Sequence, residues 1–467
     1  MTHKSVVMRF RQDLRVHDNS ALLRAIAFAH DNNLALCPVF VFDDTILRDF
    51  PTPDQRLWFV YRAVVQLDQQ LRALGSRLHV MIGDPVELLP RLCDTYKAVR
   101  VFANQSYGHG AQTRDVALQD IARDASWEIE LCNDFLLCGI DVVPVRKVFT
   151  PFYKLWSQYT PQHPVSWEWS VHVPTVGPQF SRDDITTRLQ DAQWLWSPDD
   201  LSERRPVDGG KQRLQKQYAG YDELRNIPSV DGTTQLSPYL RFGLLSCREI
   251  YWSFVDWTSD EATKEHIIRE LAWREFWYHI LHHFPHTGDV AFQEKRAWII
   301  RENNSEYFAA RQQGMTWYPL VDAGMRQLQQ EWWMHNRVRM VVASFLTKDL
   351  LIDRRWGERH FARYLLDYDW AVNTGNRQWS ASVGADPKPL RIFNPSLQAK
   401  RFDPEWVYIT RYCPERSGVA PRVMHDPERY MAEAPYPVIV SHYQRSKLAK
   451  DVYAWAKHRY EEGLFSV

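Results

Sequence analysis

Over residues 1–135, short apolar runs alternate with amphipathic stretches. Val6-Val7-Met8, Leu34–Phe42, Arg77–Ile82, Ala98–Ala103 and Glu128–Leu131 read as strands, and Arg56–Leu74 reads as a helix between two of them. Strands alternating with helices predict a doubly wound parallel sheet, whose ligands lie outside the carboxyl ends of the strands. Residues 157–205 carry Pro, Ser, Asp and many Trp without periodicity and read as a long surface connection. From about residue 206 the spacing turns helical, over Glu261–Leu281, Leu320–Gln330, Arg337–Leu351 and Arg359–Leu366. The expectation is therefore α/β. A doubly wound N-terminal domain (1–135) is followed by a linker (136–205) and an all-α C-terminal domain (206–467).

Composition narrows the function classes. A chain of 467 residues is too long for one simple core. Lys plus Arg equals Asp plus Glu, 57 against 57, so any nucleic-acid surface has to be a local basic patch. The six cysteines (Cys37, Cys93, Cys132, Cys138, Cys247, Cys413) form no CxxC pair and read as reduced thiols of a cytoplasmic protein, without a metal site. No apolar run is long enough to cross a membrane, and MTHKSVVMRF lacks an apolar signal core. One ratio is unusual: 20 Trp stand against 19 Gly. At the ordinary share of roughly 7%, Gly would appear about 33 times.

Four segments carry candidate chemistry. Asp231-Gly-Thr-Thr-Gln-Leu-Ser237 precedes a helical stretch, where hydroxyls and free N–H groups suit a phosphate, although a plain helix cap uses the same residues. Glu270, Trp273, Arg274 and Trp277 share one helix face. They suit a pocket that stacks on flat rings and bonds their edges, and equally a half-buried, salt-bridged helix. Asn336, Arg339 and Met340 recur at i, i+3 and i+4 within Trp332–Met340. Asp367–Trp379 then offers two acids, an amide and an indole, and an Asp there can answer Arg339, since a buried guanidinium needs a charge partner.

Taken in order, Phe10–Asn19, Lys147–Phe152 (KVFTPF), Asp231–Ser237, Glu270–Phe276, Pro319–Ala323, Trp333–Met340, Asp367–Trp379 and Arg391–Pro395 resemble the photolyase/cryptochrome family, most closely the class I cyclobutane pyrimidine dimer photolyases. The resemblance implies an antenna domain, a linker and a helical FAD-binding domain. It implies light-driven repair of pyrimidine dimers in DNA by electron transfer from excited, reduced FAD. A cryptochrome-type blue-light photoreceptor and a DASH-type single-strand photolyase are the alternatives. By the same resemblance Tyr221, Thr233, Thr234, Gln235, Leu236 and Ser237 hold the FAD phosphates, with Gln235 where relatives often have a basic residue. Arg274 and Asn336 line the flavin, Arg339 pairs with Asp367 beside the ring, Asp369 accepts from a ring N–H, and Asn373 faces N5. Trp273 and Trp379 stack on the lesion, Glu270 donates to a base edge if buried and protonated, and Met340 packs beside the dimer. Arg337, Arg391, Lys400 and Arg401 supply the DNA-phosphate patch. A second antenna chromophore, a folate or a deazaflavin, is possible at the loop Asn104–Asp115, and the protein is expected to be a monomer.

The chain also departs from the family. Arg301, Arg354 and Arg377 occupy the places of the Trp residues that carry electrons to the flavin, and Arg9 and Arg311 occupy two further Trp places. Conversely Trp317, Trp332 and Trp406 stand where the family has Gly, with Trp58 a candidate fourth. Two readings stay open. Either the residues are as written, and FAD arrives reduced or uses aromatics such as Trp356 or Tyr368, or certain Arg and Trp codons mean Trp and Gly in the cell of origin. The second is favoured, because the exchanges run one way each and fall at unrelated sites.

Overall fold

The computed structural model describes residues 4–48, 54–165, 187, 189, 205–216, 218–257, 260–386, 390–433 and 437–463, so most of the expected linker lies outside the described residues. The chain forms two compact units: Met1–Val142 with Gln158–Lys216 and Gln235–Ser259, and Val143–Ser157 with Gln217–Thr234 and Asp260–Val467.

The first unit is built on a five-stranded parallel sheet of order β3-β2-β1-β4-β5, with β1 Ser5–Phe10, β2 Ala35–Phe42, β3 His79–Ile82, β4 Ala98–Asn104 and β5 Glu128–Cys132. The central strand β1 and its neighbour β2 are buried at every position, which is why they read as continuous apolar runs rather than as alternation. Helices α1 Ser20–Asp31, α2 Gln55–Ala73, α3 Pro85–Thr95 and α4 His109–Asp124 connect the strands. Asn19, Asp54 and Asp84 cap the first three by accepting from first-turn N–H groups. Trp58 lies inside α2, stacked on Tyr61 with ring centroids 5.6 Å apart.

The sheet order reverses between β1 and β4, and buried polar groups gather at that carboxyl end. The Asn104 amide donates to Asp13 at 2.6 Å and to Asn19 at 2.8 Å, and Arg11 pairs with Asp115 at 2.7 Å. Asp134 accepts from Arg15 at 2.5 Å and from Arg248 at 2.9 Å. Burial alone would raise the Asp134 carboxyl, yet the two guanidiniums hold it below its usual range. Arg248 belongs to the helix Cys247–Trp257, which this network joins to the sheet.

The second unit is helical. Its principal helices are α5 Phe149–Trp156, α6 Glu261–His283, α7 Pro319–Glu331, α8 Asn336–Ser344, α9 Arg354–Tyr364, α10 Trp370–Ser380, α11 Pro395–Phe402 and α12 His442–Glu461. Tyr318, Val321, Met334, Val338, Val342, Phe345, Phe361 and Tyr408 belong to its core. The stretch expected as one helix over Arg337–Leu351 ends as an α-helix at Ser344 and continues as a π turn over Phe345–Asp349. Apolar side chains recur through both segments, so periodicity alone does not separate them. None of the described helices is long and apolar enough to cross a membrane, and no metal-binding cluster occurs among the described residues.

Candidate flavin and lesion site

Helices α6 and α10 pack closely in the helical unit. A Cβ on Gly375 of α10 would stand 2.3 Å from the ring of Trp277 on α6, so only Gly admits this approach. The pair is also tied at its polar end. Asp369 caps α10 by accepting the Val372 N–H at 3.0 Å, and its other oxygen accepts the hydroxyl of Tyr278 from α6. One turn on, Asn373 donates its backbone N–H to the Asp369 carbonyl, while its side-chain amide nitrogen is buried without a protein partner. Burying an unbonded amide is costly, so this donor points to a ligand.

Asp367 precedes this helix. Its carboxylate, 3% exposed, takes a two-pronged pair from Arg339 of α8 at 3.2 and 2.9 Å, and the Arg339 Nε donates to the Met334 carbonyl at 2.7 Å. Arg274 on α6 lies over the Tyr278 ring at 5.4 Å. Asn336 is exposed at the start of α8, and Met340 is half-buried one turn along it. Tyr221 is buried with Arg225 over its ring at 5.4 Å, and burial raises its hydroxyl above the usual range. Thr233 and Thr234 are half-buried in the same unit. Gln235, Leu236 and Ser237 belong to the sheet unit, where the Gln235 side-chain Oε1 accepts from Arg205 at 2.7 Å.

A cavity of about 520 Å³ opens between Arg225, Asn226, Arg269, Glu270 and Trp273. Glu270 is not buried as its expected role as a donor required. Its side chain is 41% exposed, and its carboxylate accepts from Arg225. Burial alone would lower the Arg225 guanidinium, but Glu270 and Tyr221 raise it above its ordinary value. Trp273 lies flat on Phe149, centroids 3.5 Å apart and planes 5° from parallel, and it also stacks with Trp277 at 5.5 Å and 29°. Trp379 sits under Arg391 at 4.4 Å, and Arg391 also pairs with Asp386 at 2.6 Å. Arg337 donates to Asn226 and lies 4.5 Å over Phe402, whereas Lys400 and Arg401 are exposed at the end of α11. Three partners were not foreseen. Phe149 sits in a motif the sequence did flag, but neither Arg225 nor Tyr278 bears any periodic signal that sets it apart.

Two family models match the chain: "DNA photolyase" over residues 6–168 and "FAD binding domain of DNA photolyase" over residues 267–454. A deoxyribodipyrimidine photo-lyase of Alkalihalophilus pseudofirmus is 34% identical over 437 residues, spanning 91% of this chain and 90% of that one. The chain belongs to the DNA photolyase family. Among solved structures, a class III photolyase from Agrobacterium tumefaciens superposes with a TM-score of 0.86 at 31% identity, covering 98% of each chain. An archaeal photolyase from Sulfolobus tokodaii, which holds two FAD molecules, gives a TM-score of 0.84 at 30% identity over 96% of this chain and 99% of that one.

As a photolyase-family enzyme this protein takes FAD, and the second chromophore is left open. The residues fit the cofactor. The unpartnered Asn373 amide, the Arg339–Asp367 pair and the Asp369 carboxylate are the polar groups a flavin edge would meet. Each is fixed from behind by a helix cap, a carbonyl or an ion pair.

The other departing positions differ from one another. Arg301 is partly exposed and donates to the Ile299 carbonyl at 3.0 Å, with Asp353 at 3.9 Å. Arg354 pairs with Glu358 at 3.1 Å and donates to the Asp289 and Val290 carbonyls. Arg377 has its guanidinium carbon 3.3 Å from the Phe361 ring centroid.

Proposed function

We propose that this photolyase-family enzyme uses light to split cyclobutane pyrimidine dimers in DNA. The observation that carries the reading is the buried, unpartnered Asn373 amide beside the Arg339–Asp367 pair, in the same helical unit as the Trp273-walled cavity. When bound and reduced, FAD supplies the electron that light makes available. Every other contribution is the chain's own. Asn373 and Asp369 orient the flavin edge, and Asp367 holds Arg339 in place by a two-pronged bond that fixes direction as well as charge.

A dimer must leave the duplex before it can be reached. Trp273, which lines the cavity, offers it an aromatic contact, and the Arg225–Glu270 pair beside it offers both a donor and an acceptor to base edges. Lys400 and Arg401, with Arg337 nearby on Phe402, provide charge for DNA phosphates that the balanced total conceals. Arg391 contributes less charge there, because Asp386 already answers it. The test is direct: reduced, FAD-loaded protein is illuminated with blue light on an oligonucleotide carrying one defined thymine dimer. Restored thymine absorbance supports the reading, and dimers left intact refute it.

A further inference from the structure

We infer that positions 317, 332 and 406 carry glycine, and positions 311 and 377 tryptophan, in the protein as its own cell makes it, the codons concerned being read there in a non-standard sense. This does not depend on the proposed reaction. It rests on backbone geometry and on buried charge.

Trp317, Trp332 and Trp406 adopt φ of 62°, 51° and 53°. In the left-handed region a Cβ crowds the following carbonyl, and a bulky side chain there is an outlier. All three places have a structural reason for that backbone. Trp332 follows the last residue of α7 and donates its N–H to the Leu328 carbonyl at 3.0 Å, the left-handed closure that glycine usually makes. Trp406 turns the chain into the helix Val407–Tyr412, and its indole nitrogen is buried without a partner. Trp317 donates its N–H to Asp322 at 3.0 Å, between a residue and its neighbour both held by that same carboxylate network. Trp58, inside α2, has no such backbone, and the inference does not extend to it.

The two arginines fail in the opposite way. Arg311 is 0% exposed, and its Nε and Nη2 both reach one acceptor, the Val342 carbonyl, at 3.3 and 3.1 Å. Its Nη1 is buried without a partner, and burial brings the guanidinium down to about 9. Arg377 is buried with its guanidinium carbon 3.3 Å from the Phe361 ring centroid and with its own Nη1 unbonded. Burial lowers it first, and Arg311 and Arg339 lower it further; Glu358 raises it in part, but that carboxylate is bonded to Arg354 and Thr374. Two like charges thus share the interior with no carboxylate bonded to either, which is costly. An indole suits both places: it is flat against Phe361, carries no charge, and has one N–H for the Val342 carbonyl. Arg9, Arg301 and Arg354 each have a carboxylate opposite and are not included.

Peptide mapping by mass spectrometry of protein isolated from its own cells decides the matter. Peptides with glycine at 317, 332 and 406 and tryptophan at 311 and 377 are expected. Tryptophan or arginine found at those places overturns the corresponding half of the inference. A second measurement uses the chain as written. With the indole removed in both, Trp332→Gly and Trp406→Gly should each exceed the matching Trp→Ala variant about 5-fold or more in folding constant, by relief of the left-handed strain, while at position 58, inside α2, Ala exceeds Gly. A Gly variant less stable than its Ala counterpart at 332 or 406 overturns the glycine assignment.

Discussion

The contact between Gly375 and Trp277 fixes how closely α6 and α10 approach, and Gly375→Ala tests whether that spacing sets the site. The added methyl would lie 2.3, 2.4 and 2.8 Å from three atoms of the indole. Ordinary carbon contacts need about 3.5 Å or more, so the helices must part by roughly 1 Å or Trp277 must leave its rotamer. Trp277 is 2% exposed and has no open side into which to turn. Overpacking of this kind costs about 1–3 kcal/mol, against a gain of about 1 kcal/mol in helix propensity for Ala over Gly. Contacts this short call for the upper part of that range, about 2–3 kcal/mol, so the net expectation is a loss of about 1–2 kcal/mol, up to roughly 30-fold in the folding constant.

The same displacement reaches the polar end of the helix pair, because the Tyr278 hydroxyl bridges α6 to the Asp369 cap. Flavin retention should therefore fall together with stability. Urea unfolding followed by Trp fluorescence gives the first quantity, and flavin absorbance per mole of purified protein the second. Trp277→Leu in the Gly375→Ala background should cost less than in the parent, since it removes the atoms the methyl meets. A Gly375→Ala variant as stable as the parent, or more stable as propensity alone would make it, refutes the argument.

Three further outcomes are expected. Asp367→Asn leaves Arg339 without its two-pronged partner; with Arg339 a quarter exposed, the cost in urea should be about 2 kcal/mol, accompanied by loss of bound flavin. Glu270→Gln breaks a half-exposed pair with Arg225, so stability should change by less than about 1 kcal/mol while affinity for dimer-containing DNA falls; an equal fall for undamaged DNA would refute a role at the lesion. His335 is held down to about 3 by burial and then by Arg337 and Arg339, against an ordinary 6.5. The unfolded chain therefore binds the extra proton between those values, and stability should drop on acidification through that window by up to about 1.4 kcal/mol per pH unit. His335→Asn, which keeps an acceptor for the Arg337 N–H, should flatten that slope in urea midpoints measured against pH.

Periodicity reported well on elements whose burial is simple. β2 is apolar at nearly every position because both faces are covered, and its predicted span differs from the observed one by a single residue. The Arg339–Asp367 pair was legible for a comparable reason, since a guanidinium among apolar residues demands a carboxylate. What stayed hidden depends on non-local geometry. The strand order, the Arg225–Glu270 pair and the Tyr278–Asp369 bridge join residues far apart in the chain, and no local pattern encodes which surface meets which. Backbone sign is hidden in a different way. A Trp letter carries no mark of a left-handed φ, so the conflict at 317, 332 and 406 becomes physical only once the fold is known.

Helix α10 shows why the identity at 377 matters to the site beside it. Asp369, Asn373 and Arg377 are spaced by four residues, so they lie along one face. The carboxylates around that face are already committed: Asp367 to Arg339, Asp369 to Val372 and Tyr278, and Glu358 to Arg354 and Thr374. A guanidinium at 377 therefore adds positive charge that only Glu358, already bonded to Arg354 and Thr374, answers in part, in the same low-dielectric space as Arg339. An uncharged ring would leave the existing pairs in balance and keep the stacking on Phe361. The electrostatics of the flavin site and the conflict in the interior thus meet at one residue, and the composition of native peptides spanning 377 bears on both.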